Sequence, residues 1–128
     1  MKILVCLVFL LLLTACSTRG IKPGTYYHGD GLGVNISIHL ISDGTYTAEW
    51  DGCLGEYGNS KGAWKVEDGY VIFTPTEEKG MMEGKLNKMK IVWHWFKKGF
   101  ISESELIECQ KELGKYCKSI YIYTLEKP

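Results

Sequence analysis

Residues 34–50 read Val34-Asn35-Ile36-Ser37-Ile38-His39-Leu40-Ile41-Ser42-Asp43-Gly44-Thr45-Tyr46-Thr47-Ala48-Glu49-Trp50. Val34, Ile36, Ile38 and Leu40 fall on one face of an extended chain, and Asn35, Ser37 and His39 on the other. That period of two marks a strand with one buried face. Ser42-Asp43-Gly44 reads as a tight turn, with the glycine supplying a positive φ. Thr45 to Trp50 then returns as the antiparallel partner, setting Tyr46, Ala48 and Trp50 against Thr45, Thr47 and Glu49.

Working outward, the same grammar repeats. On the N-terminal side, Thr25–His28 is a short strand and Gly29-Asp30-Gly31-Leu32-Gly33 a glycine-rich turn. On the other side, Asp51 to Gly62 reads as a longer loop containing Cys53, Glu56 and Tyr57. Ala63–Val66 resumes a strand, Glu67-Asp68-Gly69 turns it, and Tyr70–Thr74 comes back until Pro75, which cannot donate to a ladder. Thr76–Gly80 is polar. Met81–Lys88 is a weaker strand interrupted by Gly84, and Met89–Phe96 is apolar on both faces before a turn at Lys97-Lys98-Gly99. The period then changes. Ser102-Glu103-Ser104-Glu105 has the pattern of a capping box. Leu106, Cys109 and Leu113 form a helical stripe, Gly114 stops it, and Ser119–Leu125 alternates as a last strand. The expected fold is mainly β: a small antiparallel barrel or sandwich of about eight strands, with one C-terminal α-helix near residues 103–113.

The first residues follow a different grammar. Met1-Lys2 is positive, and Ile3–Leu13 carries no charged or strongly polar residue. The run suits an export signal and is too short for a spanning helix, which needs roughly 20 apolar residues. It ends in Leu13-Thr14-Ala15-Cys16, followed by Ser17-Thr18-Arg19. This resembles the lipobox of bacterial lipoproteins. The peptidase needs small side chains beside the cut, and the lipid must be joined to a thiol. The resemblance implies a diacylglyceryl thioether on Cys16, cleavage after Ala15, and an acylated (palmitate-type) new N-terminus. Ser17 after the cysteine resembles an outer-membrane sorting signal facing the periplasm. The chain therefore divides into a signal peptide (1–15), a lipidated tether (16–23) and one β-rich domain (24–128).

Cleavage would leave 128 − 15 = 113 residues, enough for one domain with a modest core. Of the 15 Lys and Arg and 15 Asp and Glu, only Lys2 is lost, so the mature charge is 14 − 15 = −1. A near-neutral domain offers no electrostatic case for nucleic acid. Cys6 leaves with the signal. Cys53, Cys109 and Cys117 remain, and an oxidising compartment favours one disulfide among three pairings. A chain reversing at Gly114 would bring Cys117 back beside Cys109, so that pair is favoured, with Cys53 to either partner still open.

The rhythm Gly24-x-Tyr26, Asp43-Gly44-Thr45-Tyr46, Gly62-x-Trp64 and Asp68-Gly69 resembles lipocalin-like small barrels of bacterial envelope proteins over about Gly24 to Pro75. The aromatic set Tyr46, Trp50, Trp64 and Trp93, with Tyr70 and Trp95, reads as the lining of a barrel cavity for a small apolar ligand. Against it stands a core simply filled by these aromatics, or Trp93 and Trp95 exposed as anchors for a protein partner.

Other patterns carry less. Gly58-Asn59-Ser60-Lys61-Gly62 has the letters of a hydrolase elbow, but that chemistry needs a strand, a sharp turn and a helix. His28, His39 and His94 are too dispersed for a ligand pair, and the cysteines lack zinc spacing, so no metal and no cofactor is expected. Glu49, Asp51 and Glu56 read as solvated charge, and Gly29–Gly33 as a hairpin turn rather than an anion cradle. The expectation is a non-enzymatic, membrane-anchored envelope module that binds a small apolar ligand or an envelope protein. The alternatives are an inhibitor or immunity-type lipoprotein and, from another class, a small hydrolase using Ser60. An aromatic-lined cavity would favour the carrier. A filled core with a protruding Cys53 loop would favour the inhibitor. A histidine and a carboxylate beside Ser60 would be needed for the enzyme.

Overall fold

A computed structural model describes residues 20–29, 33–94, 97–113 and 122–125. Among them, eight antiparallel strands follow one another around a closed barrel: β1 (Gly24–Gly29), β2 (Val34–Leu40), β3 (Thr45–Gly52), β4 (Tyr57–Glu67), β5 (Tyr70–Gly80), β6 (Lys88–His94), β7 (Lys97–Ser102) and β8 (Tyr123–Leu125). Helix α1 (Glu103–Leu113) lies between β7 and β8. Of the two architectures that strand alternation allows, closure selects the barrel: β8 pairs with both β7 and β1, leaving no free edge among the eight.

The hairpin of β2 and β3 has the expected register, with Leu40 opposite Tyr46, Ile38 opposite Ala48 and Ile36 opposite Trp50. Its turn is held at Asp43, whose Oδ1 accepts hydrogen bonds from the Thr45 amide at 2.8 Å and the Thr45 hydroxyl at 2.6 Å. Those bonds hold the Asp43 carboxyl below its ordinary value. Gly44 takes φ 88°, as the turn requires.

Several expected boundaries move. The loop expected over Asp51–Gly62 shrinks to the four residues between β3 and β4, because Gly58, Asn59, Ser60, Lys61 and Gly62 are strand. These residues look like a loop because the positions facing inward are small, and the structure shows why they are small. A Cβ on Gly58 would stand 2.6 Å from the Met82 nitrogen, and one on Gly62 would stand 2.2 Å from the Thr74 carbonyl oxygen. Pro75 does not end β5. It pairs with Gly62 at a bulge, since Lys61 faces Glu77. β6 pairs with β5 only from Tyr70 to Ile72, so a residue without an N–H is tolerated beyond that point.

The weak strand expected over Met81–Lys88 is instead a series of turns up to Asn87. They bury Met82 and Leu86 in the core. Lys97–Ser102, expected to open with a turn, is strand β7, paired with β6 from Met89–Ser102 to His94–Lys97. The helix begins as its capping pattern implies. The Ser102 hydroxyl accepts from the Glu105 amide at 3.3 Å and donates to the Glu105 carboxylate at 2.7 Å. Cys109 is buried on its apolar stripe.

Inside, aromatic rings fill the barrel. Phe100 packs on Tyr26 (centroids 4.9 Å), Tyr123 (5.4 Å, stacked) and Phe73 (5.9 Å), and Tyr46 meets Phe73 edge-on at 4.9 Å. Up-and-down topology gives the barrel two distinct ends. Gly20–Pro23 leads in at one, the entry end, which also carries the β2–β3, β4–β5 and β6–β7 connections. The β1–β2, β3–β4 and β5–β6 connections and the start of α1 stand at the far end.

Candidate functional site

Two described connections, β3–β4 and β5–β6, shape the far end. Between β3 and β4, the Gly52 amide donates to the Glu56 carbonyl at 2.9 Å and the Gly55 amide to the Gly52 carbonyl at 3.2 Å. Gly55 takes φ 81°. This tightly bonded turn holds Leu54 88 % exposed, with Cys53 exposed beside it. Tyr57 follows at the start of β4 and is 57 % exposed. Its carbonyl accepts from the Met81 amide at 3.2 Å, which fixes the start of the β5–β6 connection next to it. Met81 is itself 37 % exposed. Leu54, Tyr57 and Met81 thus give one end of the barrel an apolar rim on backbone that is hydrogen-bonded in place.

Beside the rim is an open depression of about 700 Å³, lined among others by Trp50, Lys85, Lys88, Glu103 and Tyr123. The Lys85 ammonium stands 5.4 Å from the centre of the Trp50 ring, within cation–π range. Trp50 Nε1 is shielded from solvent and has no hydrogen-bond partner among the described residues. Glu103 is held by the Tyr70 hydroxyl, which donates to it at 3.0 Å. That bond and the charge of Glu103 raise the Tyr70 pKa. Burial, reinforced by the charge of Glu105, pushes the Tyr123 phenol well above its ordinary value.

The four aromatics expected to line a cavity do not share one. Tyr46 is buried in the core, its hydroxyl 2.8 Å from Ser60 Oγ. Trp50 belongs to the far-end depression. Trp64 and Trp93 line a second depression at the entry end, where the Trp64 indole N–H donates to the Ile41 carbonyl at 2.9 Å. Trp93 is 69 % exposed. Cys16 and Cys117 lie outside the described residues, as do Trp95 and Gly114.

Ser60 occupies an inward position on β4, 2 % exposed and opposite Glu78. Its hydroxyl is engaged by Tyr46, while His28 packs against Tyr123 at the far end and His39 Nδ1 lies 3.0 Å from the Thr25 hydroxyl. The strand–turn–helix of a nucleophile elbow is not formed there, since β4 continues straight through Ser60. Among the described residues no group of three His, Cys, Asp or Glu side chains converges as a metal would require, and no helix is long and apolar enough to cross a membrane.

Of the rim, the sequence pointed to Cys53 and Tyr57 in a loop but not to Leu54 or Met81. A large aliphatic residue between cysteine and glycine in a polar connection was the available signal. Comparison with known proteins finds no family model, no curated protein and no solved structure that matches the chain.

Proposed function

We propose that the chain is a lipid-anchored cell-envelope protein, tethered through Cys16 to the outer membrane on its periplasmic side, that acts without catalysis by binding an envelope protein at the far end of its barrel. The observation that carries the reading is Leu54, almost wholly exposed on a hydrogen-bonded turn with Tyr57 and Met81 alongside. A backbone already hydrogen-bonded in place loses little further conformational entropy on binding, and tyrosine is among the residue types enriched at interface hot spots. The interior is occupied by the Tyr26–Phe100–Tyr123 packing, which favours a protein partner over a ligand carried inside the barrel. An inhibitor or immunity-type role fits the same rim, because a short protruding turn can enter a partner's cleft.

A second reading has its own observation. The unpartnered Trp50 N–H beside Lys85 would suit a small ligand bearing an acceptor oxygen in the far-end depression. Within the domain we propose the Cys109–Cys117 disulfide. Its support is that Cys109 is buried on α1, whereas Cys53 is exposed on the β3–β4 turn.

The anchor is tested by mass spectrometry and membrane fractionation. The wild-type chain should carry a diacylglyceryl mass on Cys16 and sediment with membranes, and Cys16→Ala should lose the mass. Membrane binding with an unshifted mass in both would refute the anchor. Binding is tested by affinity capture from envelope extract with wild type and Leu54→Asp side by side. A protein retained equally by both, or by neither, counts against the rim.

A further inference from the structure

At the entry end the incoming chain packs against the barrel. Gly20 lies against Val66, whose Cγ1 is 3.6 Å from where a Cβ on Gly20 would stand. Ile21 is buried in the core, and the Tyr26 hydroxyl donates to the Lys22 carbonyl at 2.9 Å. The chain is thus pinned where it enters the barrel. Around that point lies an open depression of about 750 Å³ lined by Gly20, Trp64, Lys65, Val66, Trp93 and Lys98 among others. Trp93 and Val66 are exposed apolar residues there. The Lys98 ammonium stands 5.3 Å from the Trp93 ring centre, and Lys65 pairs with Glu67 at 2.6 Å. Lys22 and Lys97 are also exposed at this end, as are the acids Asp43, Glu67 and Asp68.

We propose that this end lies on the bilayer surface, with Trp93 and Val66 at the boundary between headgroups and acyl chains and Lys65 and Lys98 among the headgroup phosphates. The inference rests on lipidation of Cys16 and goes beyond it, because a lipid alone leaves the barrel free to tumble. Chain length decides the orientation. Cys16 is four residues from Gly20, so a fully extended tether reaches roughly 14 Å. The seven residues of β2, tilted as strands in a barrel are, span about 18 Å along its axis. A tether pinned at the entry end therefore cannot run the length of the barrel and let the far end face the lipid. What it holds against the lipid is an exposed indole with ammonium groups beside it. Such rings settle at membrane interfaces, while lysine stems lie on apolar surface and carry their charge to the phosphates. Acids and bases are mixed at this end, so the contact depends on the tether and the indole more than on net charge. The far-end rim is left pointing away from the membrane.

The lipidated full-length protein, reconstituted into phosphatidylethanolamine–phosphatidylglycerol vesicles with acyl chains brominated near the headgroup, tests this. Bromine quenches indole fluorescence only near contact. The wild type should be partly quenched. Trp93→Phe should lower the quenched fraction, and Trp50→Phe should raise it by removing an unquenched far-end fluorophore. Both variants are checked for the wild-type circular dichroism spectrum and for the Cys16 lipid mass. A quenched fraction that falls with Trp50→Phe, or does not fall with Trp93→Phe, overturns the orientation while leaving the anchor intact. A chain without lipid on Cys16 removes the anchor and the orientation together.

Discussion

The pairing of Tyr46 with Ser60 offers a sharp test of how the barrel is built. Both groups are buried, and their oxygens are 2.8 Å apart. Ser60→Ala keeps nearly the same volume but leaves the Tyr46 hydroxyl in the core without this partner. A buried polar group so stranded costs about 1–3 kcal/mol. Tyr46→Phe strands the serine instead. The smaller hydroxyl can rotate toward a backbone carbonyl, so the expected loss is about 1 kcal/mol. With both hydroxyls removed, neither is stranded, and the double variant should be more stable than the sum of the two losses predicts, by a coupling of about 1 kcal/mol. For a domain of this size each kcal/mol corresponds to roughly 4–8 °C in Tm. Urea unfolding followed by tryptophan fluorescence gives all four stabilities, provided the m-value is unchanged. If Ser60 instead belonged to a solvated loop, as its glycine-flanked sequence suggests, Ser60→Ala would alter stability by less than about 0.5 kcal/mol. That result, or strict additivity, would refute the buried pair.

Three further outcomes follow from the geometry. Gly62→Ala should destabilise the barrel by about 1–3 kcal/mol in the same assay, because its Cβ would meet the β5 backbone rather than a side chain that can swing away. In alkali, Tyr123 has a folded pKa raised above its unfolded value by burial, so it stabilises the fold fully below about pH 10 and ceases to as pH rises further. Tm measured upward from neutral pH should hold and then fall, and Tyr123→Phe should shallow that fall; an unchanged alkaline limb would contradict it. At the rim, Tyr57→Ala should weaken partner binding by about 2 kcal/mol, near 30-fold, while leaving Tm within a few degrees, as calorimetry and thermal melts would show.

How far the chain could be read in one dimension depended on where the deciding contacts lay. β2 and β3 were legible because apolar and polar residues alternate without exception from Val34 to Leu40, and Asp43-Gly44 can do little but turn. The start of α1 was legible for the same local reason, since Ser102 and Glu105 recognise one another three residues apart. β4 was not. Gly58 and Gly62 are small because segments distant in sequence press on them, and a local window reads such residues as loop. Met82 and Leu86, four apart, have a spacing that fits one face of a strand or of a helix, yet they are core residues supplied by turns. Lys97 and Lys98 looked like a turn, yet barrel closure recruits them into β7, whose partners are β6 and the remote β8.

By itself, then, the sequence determined the β class, the central hairpin, the capped helix and the expectation of a lipid on Cys16. Each depends on residues within a few positions of one another, where backbone sterics and local hydrogen bonds suffice. Tertiary structure alone decided that the sheet closes and that Tyr46 fills the core while Trp50 goes to one mouth and Trp64 and Trp93 to the other. Alternation along a strand says which face a side chain takes, but not how high on the barrel it stands. That height comes from register and closure, which are relations between strands, and it separates one supposed aromatic cavity into a packed interior and two different ends.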